Sequence, residues 1–62
     1  MNSTEVVNEL VDARRKLDDV HKNIKRAMAY ADNLTANKLE EIRKQLVKII
    51  LDIDVIIERH IR

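Results

Sequence analysis

Two histidines, two carboxylate doublets and one basic strip are the groups in this 62-residue chain whose types could do chemistry. A metal site or proton relay would need His21 and His60 together, or a second ligand one helical turn from either. Neither histidine has a second ligand at i+4. Asp18–Asp19 and Glu40–Glu41 would serve as acid and base only if both carboxyls reached one substrate atom. Neighbours on a helix point ~100° apart, so these do not. There is no cysteine, hence no thiolate site and no disulfide. No nucleophile–base pair is legible from spacing. The expectation is a chain with no catalytic residue, no cofactor and no metal, and not an enzyme.

The basic strip is the second candidate. Six basic residues and two acidic ones lie between Arg14 and Arg26, and Arg15, Lys22 and Arg26 project onto one outer helical strip. Paired strips of this kind grip phosphates. Asp12 and Asp19 border the strip, however, and no aromatic residue stands there to stack on bases. The plainer reading is a solvated face laced with ion pairs, and nucleic acid is the less favoured partner. Twelve Lys/Arg against eleven Asp/Glu gives a net charge of +1, so overall charge calls for neither nucleic acid nor a membrane.

These residues need elements to carry them. Glycine and proline are absent, 45% of residues are hydrophobic and 37% charged, which suits long solvated helices better than strands or disorder. Apolar residues step by four and three through Val6, Leu10, Ala13, Leu17, Val20, Ile24, Ala27, Ala31 and Leu34, a heptad seam. Asn2 with Glu5 has capping-box spacing at its start. A second seam runs through Leu39, Ile42, Leu46, Ile49, Ile53, Ile56 and His60, out of phase with the first. Continuing the first register would bury Lys38, Glu41, Lys48, Asp52 and Arg59, so one straight coiled coil is untenable.

The phase slips within residues 32–37, the one cluster of turn-tolerant types. Asn33 is expected to take a left-handed conformation, and Thr35 or Asn37 to cap the second helix. The fold class predicted is all-α: an antiparallel helical hairpin with helix 1 about 4–32, a turn about 33–37 and helix 2 about 38–61. With the turn near residue 35, His60 falls level with Leu10 and His21 level with Ile49, too far apart to share a ligand. Seven oppositely charged i,i+4 pairs, among them Asp12–Lys16, Asp18–Lys22, Glu40–Lys44 and Glu58–Arg62, decorate the outer faces. Leu51–Val55 alternates like a strand but has no partner strand elsewhere in the chain.

Size then argues for self-association. One core of so few residues seldom supplies more than about 3–5 kcal/mol, and staples and metals are missing. Helix 1 offers small residues at Ala13, Ala27 and Ala31, whereas helix 2 offers isoleucines, and such alternation lets layers interdigitate. A homodimeric four-helix bundle is therefore expected. Its interface would comprise Leu10, Leu17, Ile24, Ile49, Ile53 and Ile56. Val47, Leu51 and Val55 form an extra stripe at i, i+4 and i+8, on the side of helix 2 that should be polar. That stripe suits a partner, either a second copy or another helical protein.

In length, arm size and seam the chain is similar to the Rop family of small RNA-binding regulators, whose hairpins pair into four-helix bundles. That resemblance implies the bundle and, as the alternative function, RNA or DNA binding by the basic strip. The stretch from Asn33 to Leu46 also resembles the hairpin of sporulation-regulating aspartyl-phosphate phosphatases. Arg43 and Val47 stand where that family carries its signature Ser and Asp, which removes the phosphatase reading. The primary expectation is a small protein-interaction or regulatory module acting through helix packing. The apolar runs are broken by Asp52 and Asp54, short of the ~20 residues a membrane span needs, and Met1–Glu5 has no signal-peptide character. A cytoplasmic location is expected, with no membrane partner.

Overall fold

The computed structural model describes residues 3–61. Helix α1 spans Ser3–Tyr30 and helix α2 spans Asn33–Ile61, with Ala31 and Asp32 between them. They pack against each other as a helical hairpin of 46 × 15 × 15 Å, the length expected of 28- and 29-residue helices at about 1.5 Å per residue. No strand occurs among the described residues, and the alternating Leu51–Val55 segment lies within α2.

The turn differs from the sequence expectation. It occupies Ala31 and Asp32 rather than residues 33–37, and no described residue has positive φ. Asp32 supplies the reason. Its Oδ1 accepts the Thr35 N–H at 2.7 Å, and its carbonyl accepts the Ala36 N–H at 2.8 Å. A carboxylate in the N-cap position satisfies an otherwise orphan donor and opens the helix at once. The Ala31 N–H, bonded to the Met28 carbonyl at 3.3 Å, closes α1 with a tight final turn. Asn33 therefore needs no left-handed geometry, and Thr35 and Asn37 lie within α2 rather than capping it. The capping box expected at Asn2, like the Glu58–Arg62 pair, involves a residue outside those described.

The α1 seam holds in part: Val20 and Ala27 are exposed, and Leu34 is exposed and belongs to α2. Leu10, Leu17 and Ile24 are half-buried toward α2, with Met28 continuing the row. On α2 the seam is rotated. Ile50 is the one buried apolar side chain among the described residues, at 7% exposure, flanked by half-buried Leu39, Leu46, Ile53 and Ile57. Ile42, Ile49 and Ile56, assigned to the seam by three-four spacing, stand 40%, 46% and 39% exposed on its flank. An ion pair accompanies this phase. Asp54 reaches Arg14 of α1, and with Asp54 at the edge of the contact, the positions four before and three after it, Ile50 and Ile57, face inward.

Candidate functional site

Because the seam is narrow, the chain's chemistry lies on the two flanks of the hairpin. One flank is polar and internally closed. Arg14 Nε donates to Asp54 Oδ1 at 2.7 Å across the helices. This bond and the Asp54 charge hold the guanidinium protonated above its ordinary range, with Asp18 assisting. About three helical turns nearer the loop, Arg43 donates to both carboxylate oxygens of Glu40, through Nε at 2.9 Å and through Nη2. The hydrogen bonds from Arg43 hold Glu40 below the usual carboxylate range, with small contributions from Lys44 and His21.

His21 sits in this flank, half-buried, in a shallow depression lined by Arg14, Asp18, Val47, Ile50 and Leu51. Its Nε2 is sealed from solvent with no hydrogen-bond partner. His60 lies at the far end, beside Thr4, Val7 and Asn8. The two histidines do not meet, and no cluster of three metal-ligating side chains occurs among the described residues.

The extra stripe falls on the same polar flank. Val47 and Leu51 line the depression beside His21, whereas Val55 stands outside it, exposed like Leu51. Three residues expected to share one interface are thus divided between a wall and open surface.

The opposite flank is apolar across both helices. By the helical period, Ala13, Val20 and Ala27 lie ~100–140° from Arg14 around α1. On α2, Ile42, Ile49 and Ile56 lie ~120–160° from Asp54. The Arg14–Asp54 bond marks the polar side, so both rows open on the other one. Of the expected interface residues, Leu10, Leu17, Ile24 and Ile53 belong to the intramolecular seam, while Ile49 and Ile56 belong to this open flank. Ile42, Val20 and Ala27, which the sequence placed in the two seams, share this flank. Their heptad steps, seven residues apart on each helix, were the signal available for that grouping.

The basic strip is weaker than its composition suggests. Arg15 is bonded to Asp12, whose other oxygen takes Lys16 at 3.0 Å. Hydrogen bonding and charge from Lys16 first, then Arg15, hold Asp12 below its ordinary range. Lys22 and Arg26 remain exposed on the outer face. Elsewhere, Lys48–Asp52 at 3.1 Å and Lys38–Glu41 at 3.7 Å ornament the surface. Asp12–Lys16 forms as spaced, whereas Glu40 takes Arg43 in place of Lys44 because the i+3 guanidinium meets both its oxygens.

No helix among the described residues is long and apolar enough to cross a membrane. Comparison with protein-family models, curated proteins and solved structures finds no match to this chain.

Proposed function

We propose that this chain is a non-enzymatic interaction module that works in the cytoplasm by self-association through helix packing. A single observation carries the reading. One apolar side chain, Ile50, is buried among the described residues, against eleven large apolar side chains left exposed. A hairpin with so thin an interior gains little from burial, and four of these side chains, Val20, Ile42, Ile49 and Ile56, share one flank, which marks an interaction surface. The isologous surface of a second copy supplies the missing half of a four-helix bundle.

Thermal unfolding followed by circular dichroism tests this at increasing protein concentration. Self-association that stabilises the helices raises the midpoint with concentration. A concentration-independent midpoint from a fully helical chain would contradict it. Capture of a different helical protein by a weakly helical, monomeric chain would point to a heterologous partner instead. Nucleic-acid binding gains no support from the geometry, because Asp12 engages Arg15 and leaves a strip of two free-standing cations.

A further inference from the structure

The apolar flank also carries the orientation of its partner, an inference that rests on the self-association just proposed. The geometry points to a second copy seated with its turn at the same end of the bundle, so that α1 of each chain lies antiparallel on α2 of the other. Size complementarity is the first ground. The α1 row is small at Ala13 and Ala27 with Val20 between, and the α2 row is uniformly Ile42, Ile49 and Ile56. Seating α1 on the partner's α2 sets alanine against isoleucine in the two outer layers and valine against isoleucine in the middle one. Turning the copy end over end would set isoleucine on isoleucine and leave alanine facing alanine.

Charge complementarity is the second ground. The outer edge of α1, four residues before each row position and continued by one heptad, reads Glu9, Lys16, Asn23 and Tyr30. The outer edge of α2, three residues after each isoleucine and continued likewise, reads Arg59, Asp52, Gln45 and Lys38. A two-fold axis parallel to the helices preserves height, so level residues within the hairpin are also level between copies. Arg14–Asp54 defines a level pair. Glu9 lies five residues before Arg14 and Arg59 five after Asp54; Lys16 lies two after and Asp52 two before; Asn23 lies nine after and Gln45 nine before; Tyr30 lies sixteen after and Lys38 sixteen before. The edges then pair Glu9 with the partner's Arg59, Lys16 with the partner's Asp52, Asn23 with the partner's Gln45 and Tyr30 with the partner's Lys38. Each pair is attractive or hydrogen-bonding, and each occurs twice in the dimer. An axis across the hairpin's middle would oppose Lys38 and the partner's Arg59, two like charges.

Area is the third ground. The chain exposes 4996 Å², whereas a compact monomer of 7.3 kDa exposes roughly 4,200 Å². The excess, about 800 Å², matches what one partner contributes to a standard interface.

Spin labels decide the matter, since the chain has no native cysteine. A nitroxide on Leu34→Cys, beside the turn and largely exposed, reports the separation of the two turns by pulsed dipolar spectroscopy. With neighbouring helices about 10 Å apart, turns at one end give a distance of about 25 Å or less including the label arms. A distance near the hairpin length of 46 Å overturns the orientation and leaves self-association standing. Absence of any dipolar coupling overturns both. As a second readout, Lys16→Asp and Asp52→Lys each weaken dimerisation several-fold, and the double variant recovers it. Two losses that simply add would contradict the Lys16–Asp52 contact.

Discussion

The two flanks of this hairpin are built from the same pair of helices and have opposite fates. On one, Arg14–Asp54 bridges the helices, Glu40 and Arg43 pair along α2, and His21 and Ile50 line one shallow depression. On the other, alanines and valine beside three isoleucines make no such bonds and remain in water. On the first flank the guanidinium groups of Arg14 and Arg43 find acceptors within the chain, while His21 Nε2 has no partner and Leu51 and Val55 stand exposed. Apolar contacts are non-directional and stay incomplete until area is removed from water. The Arg14–Asp54 pair accompanies the observed rotation of α2, which leaves Ile42, Ile49 and Ile56 exposed on the other flank.

Substitution in the shared seam has the largest expected effect, because both flanks depend on it. Ile50→Ala costs about 2–5 kcal/mol and abolishes helicity at low concentration, checked by circular dichroism. Unchanged helicity would mean the helices stand without their seam. Next in size is a paired charge insertion that separates the flanks. Ile49→Lys makes the chain monomeric by light scattering, whereas Leu51→Lys, on the polar flank, leaves the mass unchanged. The reverse outcome would exchange the roles of the two flanks.

Acid affects the polar contacts more gently. Asp12, Asp32 and Glu40 are all held below their ordinary values of 3.8, 3.8 and 4.5 by hydrogen bonds and nearby cations. A depressed carboxylate stabilises the folded chain fully above its unfolded value and loses that contribution as pH falls through its folded value. The melting midpoint is therefore level at neutral pH and declines below about pH 4.5. A midpoint that stays level well below pH 4.5 would remove these carboxylate contacts from the stability of the fold. Smallest are changes at the turn. Asp32→Ala removes the cap and lowers the midpoint by several degrees, and Asn33→Gly lowers it slightly because Asn33 is helical. A gain on Asn33→Gly would restore the left-handed turn that the sequence suggested.

The hairpin itself was legible because the two seams are out of phase and no residue between 5 and 31 breaks a helix. Turn position was not, since Asp32, Asn33, Thr35 and Asn37 all suit a helix start and only geometry selects the carboxylate that reaches the Thr35 N–H. Seam rotation was also beyond reach. Residues 46–61 are apolar over so wide an arc that Ile49 and Ile50 compete, and the Arg14–Asp54 bond that accompanies the inward Ile50 spans forty positions. The stripe of Val47, Leu51 and Val55 reads as surplus for the same reason: taking Ile50 as a flank places its neighbours on the outside.

Self-association is most directly tested by sedimentation equilibrium over a wide concentration range, with helicity recorded on the same samples. The expected result is a reversible shift from the 7.3 kDa chain to twice that mass, with helical content rising alongside. A chain that stays at monomer mass and remains fully helical throughout would contradict it, since the exposed isoleucine row would then need no neighbour.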